Sequence, residues 1–181
     1  IFRYTMTTPY DLATAALSYS VEVSVLGVTS PFDVHVSEDG LRYWVLAAGV
    51  TDQIAEFSMA TPFQLTGSTG VSTSITLLDT VPQGFAFKPD GTAVYVVGTG
   101  SDNIEQYPLS TPWDITTMSA GTRVVVSTGI SNPTSITFNQ DGTVMLMVGL
   151  GSSLVRQWNL ATPWDVSTGA VCNTAIVINA R

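Results

Sequence analysis

The motif Pro-x-x-φ-x-φ-x-x-Asp-Gly, where φ is an apolar residue, occurs three times in this chain at a constant spacing. Its copies begin at Pro31, Pro82 and Pro133, so each step is 51 residues. A second motif, Thr-Pro-aromatic, returns at nearly the same interval. Its four aromatic residues are Tyr10, Phe63, Trp113 and Trp164. Two motifs with a shared period indicate a repeat protein, and the repeat constrains every other interpretation.

Each repeat divides into four strand-like segments. Apolar residues alternate in the segment after the proline, as in Phe85 and Phe87, and Asp-Gly then supplies a tight turn. The second segment is almost wholly apolar, as in residues 94–97, which is typical of a strand buried on both faces. The third is amphipathic and ends at Thr-Pro, and the fourth, for example 74–78 or 123–126, is the most variable.

Four short strands per repeat, with no helical period, are typical of a β-propeller blade. We therefore predict an all-β fold, a β-propeller with four-stranded antiparallel blades of about 51 residues, with three full blades and half of another. One array covers 1–181, with an outer half-blade at 1–30 and blades at 31–81, 82–132 and 133–181. Because residue 1 falls inside a repeat, we expect the sequence to be a piece of a longer array.

Two segments carry a resemblance to known repeats. Residues 82–97 resemble the inner hairpin of the YVTN, NHL and SMP-30/gluconolactonase group of propellers. Residues 106–115 are similar to the "YxLSTPWDVSTA"-type repeats of bacterial and phage proteins. The second resemblance implies a phage-tail or virion-surface component. A propeller fold alone implies no activity, since enzymes, lectins and scaffolds share it.

Composition argues against several classes of function. The net charge is −8 and Lys88 is the only lysine, whereas nucleic-acid binding needs basic clusters. No apolar run is long enough to span a membrane. Cys172 is the only cysteine, which argues against an intrachain disulfide or a cysteine metal site and predicts a buried thiol. Few lysines and many serines and threonines favour an extracellular or virion-surface location.

The Thr-Pro-aromatic motif supplies the candidate ligand-binding residues. Each aromatic is followed by a polar residue, at Asp11, Gln64, Asp114 and Asp165. A flat ring beside a polar group suits a sugar ligand. The favoured alternative is that each ring packs within the fold and each aspartate caps the next turn, because the motif has the fold's own period. The candidate ligand-binding residues are Tyr10, Phe63, Trp113, Asp114, Trp164 and Asp165.

His35 is the only histidine, on the predicted innermost strand, where side chains approach the central channel. Asp33 and Glu38 are the nearby carboxylates. The equivalent residues of the other blades are Ala86 and Thr137, so we interpret His35 as a tolerated polar residue of the channel. The Asp-Gly pairs are interpreted as turns, since one carboxylate per turn cannot supply the six to eight oxygens that Ca²⁺ takes.

The SMP-30 resemblance implies a metal held by acidic and amide side chains at the channel mouth. Asp33 is the only acidic residue at the matching positions, so we predict no metal, cofactor or catalytic residue in these blades. The leading hypothesis is a non-catalytic binding or structural module on a virion or bacterial surface. Its partners would be other virion or surface proteins, or a host receptor or glycan. Whether the protein forms an oligomer is left open by the sequence. The alternative is a lactonase-like metal-dependent hydrolase whose site lies in further blades.

Overall fold

A computed structural model of the chain describes residues 1–21, 23, 28–49, 51–120, 124–127, 129–151, 153–171 and 176–177. The first element is a hairpin of β1 (Phe2–Met6) and β2 (Ala15–Ser20), which pair antiparallel. A single 3-10 turn, Leu12–Thr14, leads into β2. The thiol predicted at Cys172 lies outside the described residues. Within the described part of the chain, no helix has the length and apolar character needed to cross a membrane.

Three antiparallel sheets follow the hairpin, and their strands are ordered as in the sequence. Blade 1 comprises β3 (Pro31–Val36), β4 (Arg42–Ala47), β5 (Gln53–Ser58) and β6 (Thr69–Thr73). Blade 2 comprises β7 (Pro82–Phe87), β8 (Ala93–Gly98), β9 (Asn103–Pro108) and β10 (Val124–Ser127). Blade 3 comprises β11 (Pro133–Phe138), β12 (Val144–Gly149), β13 (Leu154–Leu160), β14 (Gly169–Val171) and β15 (Ile176–Val177), the last two both paired with β13. The predicted all-β fold with four-stranded antiparallel sheets is confirmed.

The fourth strand of blade 1 is not where the sequence predicts it. The strand is Thr69–Thr73, whereas residues 74–77 are irregular. Ser74 N–H and Leu77 N–H still donate to backbone carbonyls of residues 54 and 52. The side chain of Leu77 is buried in the core between blades 1 and 2, and Ile75 packs against it. Burial therefore explains the apolar pattern, without the regular pairing that defines a strand.

The second strands of blades 1 and 2 are apolar on both faces because each contributes to two cores, whereas in β12 of blade 3 Leu146 and Val148 are exposed. In β8, Val94 and Val96 pack into the core against blade 1, while Tyr95 and Val97 pack into the core against blade 3. A strand that alternates between two apolar surroundings reads as one continuous apolar run. A third core, around Tyr43, lies on the other side of blade 1, where Ile1, Val21, Val23 and Val28 pack against it.

The Asp-Gly turns and the Thr-Pro-aromatic loops lie together at one end of each blade. Trp113 N–H donates to Gly91 O (2.9 Å), and Trp164 N–H donates to Gly142 O (2.9 Å). Both glycines have positive φ, 73° and 71°, which their turns require. The two repeated sequence motifs are thus two halves of one local structure.

Candidate functional site

An open cleft of about 480 Å³ lies between blades 1 and 2, at the Asp-Gly end. We call it the first cleft. The charged and aromatic side chains that line it, with one imidazole, are those of His35, Glu38, Asp39, Arg42, Phe87 and Trp113. The cleft combines aromatic rings with one imidazole, one guanidinium and two carboxylates, and mixed linings of this kind are typical of ligand sites.

Strand register brings the polar groups of blade 1 to one face. Trp44 pairs with His35 on β3 and with Glu56 on β5. Side chains that are directly opposite on neighbouring strands point to the same side of a sheet. Arg42, two residues before Trp44, belongs to that side as well. His35, Arg42 and Glu56 therefore all face blade 2.

The His35 ring is packed among aromatic rings of both blades. Its centroid lies 5.9 Å from that of Trp44, 5.3 Å from that of Phe87 and 6.4 Å from that of Trp113. Burial lowers the pKa of His35 below its ordinary value of 6.5, and the Asp33 carboxylate opposes this shift. A neutral imidazole can accept a proton from a ligand or a water molecule. The ring lies between two blades, so its predicted role as a channel residue does not describe its surroundings.

Arg42 is held from two sides. Its guanidinium carbon lies 5.1 Å from the centroid of the Trp44 ring, a cation–π distance. Its Nη1 lies 3.6 Å from Glu56 Oε1, and Glu56 also accepts from Ser72 Oγ (3.2 Å). The Arg42 side chain is 37% exposed, so the guanidinium can still reach a ligand in the cleft.

Carboxylates form the rim of the first cleft. Asp39 Oδ1 accepts from Ser37 Oγ (2.6 Å) and from Leu41 N–H (2.9 Å). These hydrogen bonds hold the pKa of Asp39 below its ordinary value, so it is ionised at neutral pH. Glu38 is exposed beside it. Glu38, Asp39 and Glu56 thus place three carboxylates around the single positive charge of Arg42.

A second cleft occupies the equivalent place between blades 2 and 3, with a volume of about 310 Å³. There Tyr95 Oη donates to Trp164 O (2.6 Å), and Val166 N–H donates to Gln106 Oε1 (3.1 Å). These two hydrogen bonds fasten the Thr-Pro-Trp loop of blade 3 to blade 2. Ala93 stands where blade 1 has Arg42. The first cleft therefore departs from the repeat in its polar groups.

In blade 1 the equivalent residues are Trp44 and Glu56, and neither makes the corresponding hydrogen bond to the next blade. The Trp44 side chain is fully buried, and its Nε1–H has no hydrogen-bond partner among the described residues. Glu56 is engaged within blade 1. An unpaired buried N–H is costly unless a ligand or a water molecule supplies an acceptor. This feature distinguishes the first cleft from the second.

The donor set does not fit the metal implied by the SMP-30 resemblance. In the described ranges, no three His, Cys, Asp or Glu side chains are grouped to hold a metal ion. The Asp33 carboxylate already accepts from Val34 N–H (2.8 Å) and from Phe85 N–H (3.1 Å). Its bond to Phe85 ties blade 1 to blade 2.

The predicted ligand-binding residues do not form one site. Trp113 lines the first cleft, whereas Trp164 and Asp165 line the second. Phe63 lines a separate groove between β1 and β3, and Tyr10 is 97% exposed. The aromatic rings of blades 1, 2 and 3 cover the glycine of their own Asp-Gly turn. Their role in ligand binding stays a prediction.

The aspartates of the same motif cap short 3-10 turns. Asp114 Oδ1 accepts from Thr116 N–H (3.0 Å), and Asp165 Oδ1 accepts from Ser167 N–H (3.0 Å). Asp11 caps Leu12–Thr14 in the same way. Such caps satisfy backbone donors at the start of a helical turn. These contacts are the ones that the alternative interpretation of the motif predicts.

Arg42 and Glu56 were not among the residues predicted from the sequence. The signal that could have found them is departure from the repeat. Ala93 and Val144 are equivalent to Arg42, and Gln106 and Gln157 are equivalent to Glu56. His35 also departs from its equivalents, and the strand register places all three departures on one face. A repeat position that changes chemistry in one blade only is a candidate functional position.

Comparisons with solved structures show the fold. A protein of Bacteroides uniformis ATCC 8492, provisionally assigned as a 6-phosphogluconolactonase, matches with a TM-score of 0.62 and 14% identity, over 98% of this chain and 48% of its own. One of Bacteroides fragilis NCTC 9343 with the same provisional assignment matches with 0.57 and 13%, over 82% and 39%. The periplasmic gluconolactonase of Pseudomonas aeruginosa matches with 0.57 and 13%, over 92% and 43%. No protein-family model and no curated protein sequence matches the chain.

The chain thus has a β-propeller fold and spans less than half the length of these three proteins. The likeness corrects one prediction. A non-catalytic module was expected, but the neighbours are named as lactonases, so the expectation of no enzyme is contradicted. That expectation rested on missing metal ligands at the channel, whereas the polar groups of the first cleft lie between blades. The narrower resemblance to phage and bacterial surface repeats stays a prediction.

Proposed function

We propose that this protein is a hydrolase that opens a lactone, a cyclic ester, and that the first cleft is its reaction site. The observation that carries the proposal is the presence of a half-buried imidazole and a guanidinium in one cleft. The lactonase names of structures with the same fold support the reaction class. These two groups supply what ester hydrolysis needs, a base for water and a positive charge for the developing oxyanion.

His35 acts as the general base in this proposal. Its neutral imidazole takes a proton from a water molecule while the water oxygen attacks the lactone carbonyl carbon. The resulting tetrahedral intermediate collapses by breaking the bond between that carbon and the ring oxygen. The imidazolium returns the proton to the ring oxygen, and the product is the open-chain hydroxy acid. Each proton and electron pair is accounted for by His35, water and substrate.

Arg42 stabilises the negative charge that develops on the carbonyl oxygen. The Trp44 ring and the Glu56 carboxylate hold its guanidinium in place, so little reorganisation is needed during the reaction. Phe87 and Trp113 provide an apolar wall for the carbon face of the substrate. The same wall limits access of water to one side of the cleft.

The test is the initial rate of glucono-1,5-lactone hydrolysis, measured by acid release above the spontaneous rate. His35→Gln should lower kcat by at least about 100-fold, which is typical for loss of a general base. Arg42→Gln should lower kcat by a similar factor. Lys88→Gln, in the second cleft, is the matched control and should keep the activity. If His35→Gln and Arg42→Gln, with unchanged circular dichroism, are as active as the starting protein, the proposal is wrong.

We also propose an extracellular location, with a surface glycan as partner. The support is the sequence composition, with one lysine in 181 residues and a net charge of −8, and the aromatic-aspartate pair at Trp164 and Asp165 in the second cleft. Fractionation of the source cells with an antibody against the protein tests the location. Recovery in the cytosolic fraction alone would contradict it.

A further inference from the structure

The charges around the first cleft are unequal. Arg42 contributes one positive charge, while Glu38, Asp39 and Glu56 contribute three negative charges, a formal balance of −2 when His35 is neutral. The chain as a whole carries −8. A cleft whose charges sum to one sign favours ligands of the opposite sign and disfavours those of the same sign. The first cleft therefore opposes the entry of an anion.

The one guanidinium is already engaged. Arg42 Nη1 lies 3.6 Å from Glu56 Oε1, so an incoming phosphate would compete with a carboxylate that is mostly buried. Separation of that pair would leave Glu56 buried without its cation, which is unfavourable. Phosphate sites usually offer arginine as a free two-pronged donor. Arg42 in its present setting suits one developing oxyanion better than a stable dianion.

The next cation along the chain is also committed. Lys88 Nζ lies 2.8 Å from Asp90 Oδ2, and Lys88 lines the second cleft. Pro89, between Lys88 and Asp90 in the sequence, lines the first cleft with its apolar ring. The described lining of the first cleft thus contains no cation besides Arg42 that could neutralise a phosphate.

We propose that the substrate of the first cleft is an uncharged lactone, without a phosphate or a second carboxylate. This inference rests on the proposed function and adds the substrate class. It separates the protein from those relatives in fold whose names specify a 6-phosphorylated lactone. The rings of Phe87 and Trp113 suit the uncharged face of a sugar ring. The carboxylates of the rim can accept hydrogen bonds from the hydroxyl groups of the sugar.

The experiment compares kcat/KM for glucono-1,5-lactone and for its 6-phosphate, with the same protein and at the same pH. We expect at least about a tenfold preference for the uncharged lactone, the lower end of what focused charge produces in clefts. Raising NaCl from about 0.02 M to about 0.5 M should narrow the preference, because salt screens repulsion between charges near the surface. The double variant Glu38→Gln/Asp39→Asn should narrow it as well.

The outcomes are distinguishable. A preference for the uncharged lactone that salt narrows supports the inference. Equal or faster hydrolysis of the 6-phosphate overturns the inference while the proposed function stands. Hydrolysis of neither substrate overturns the proposed function, and the inference falls with it. The salt series uses the unaltered protein, so it decides the question even if the double variant does not fold.

Discussion

His35 and Trp44 are directly opposite each other on β3 and β4, and their ring centroids are 5.9 Å apart. The pairing fixes the imidazole against a fully buried indole at the face where blade 1 meets blade 2. On the neighbouring strand β5, Glu56 is also directly opposite Trp44, so it lies on the same face of the sheet as His35. The position of the imidazole depends on this β-ladder, so its titration reports on the packing between blades.

The first prediction concerns pH. Burial lowers the folded-state pKa of His35 below its ordinary value of 6.5, so the unfolded chain binds more protons between the two values. This contribution to the free energy of unfolding is therefore complete above pH 6.5 and is lost as pH falls towards the folded pKa. The rate of lactone hydrolysis should also decline as pH falls through the folded-state pKa of His35, because only the neutral imidazole accepts a proton.

NMR titration of the imidazole measures this pKa directly, since His35 is the only histidine. Urea unfolding at pH 7.5 and pH 5.5 supplies the stability comparison, with His35→Gln as the control that lacks this titration. A midpoint at or above 6.5 in the folded protein would contradict the prediction.

A second prediction uses two glycines with the same backbone angle. Gly142 has φ 71°, and a side chain there would collide with the Trp164 ring. Gly67 has φ 72°, and no described atom lies within 4 Å of the position its Cβ would take. Gly67→Ala should lower the free energy of unfolding by about 1 kcal/mol, from backbone strain alone.

Gly142→Ala carries the same strain and the collision, so we expect it to lower the free energy of unfolding by about 3 kcal/mol. Denaturation in urea measures both variants. Equal losses of the free energy of unfolding in the two variants would show that the Trp164 ring accommodates a methyl group at position 142.

The fold could be predicted from the sequence because its signals are local. The alternation around Phe85 and Phe87 and the two-sided apolar run of β8 each reflect one strand and its two faces. The fourth strand of blade 1 could not, because Leu77 is buried from an irregular segment. Apolar residues record burial, and burial does not require a β-ladder.

The candidate site was less predictable because it is assembled across strands. His35, Arg42 and Glu56 are up to 21 positions apart in the sequence, and only the β3–β4–β5 register brings them to one face. The lactonase resemblance pointed to the channel, whereas these residues lie between blades. Comparing each blade with the next identifies them, because these positions change chemistry in blade 1 alone.

A third prediction concerns the buried carboxylate of Asp79, which is 1% exposed. It accepts hydrogen bonds from the backbone N–H groups of Val81, Gly100 and Ser101 and from Ser101 Oγ. Together these bonds join the loop that leads into β7 to the loop after β8. Asp79→Ala leaves the buried donors unpaired and should lower the free energy of unfolding by about 3 kcal/mol.

Asp114→Ala is the control, because Asp114 caps a half-buried turn and its loss should lower the free energy of unfolding by about 1 kcal/mol. Urea denaturation of both variants measures the difference. A loss at Asp79 no larger than that at Asp114 would mean that water replaces the missing carboxylate.

The last prediction separates a substrate wall from a repeated glycan site. Trp113 and Trp164 are equivalent residues with φ 65° and 66°, and each ring covers the glycine of its own turn. Alanine at either position should therefore lower the free energy of unfolding alike, by about 2 kcal/mol for a half-buried ring. Their clefts differ, because His35 and Arg42 line only the one beside Trp113.

If the first cleft is the reaction site, Trp113→Ala should raise KM for glucono-1,5-lactone about tenfold, and Trp164→Ala should leave KM unchanged. Loss of binding contacts outside the reacting bond acts on KM more than on kcat. The glycan prediction differs, since there both variants should lose binding to immobilised glycans to the same extent. Initial rates and glycan-array binding, measured on the same two preparations, therefore assign Trp113 to catalysis in one cleft or to a recognition surface that repeats with the blades.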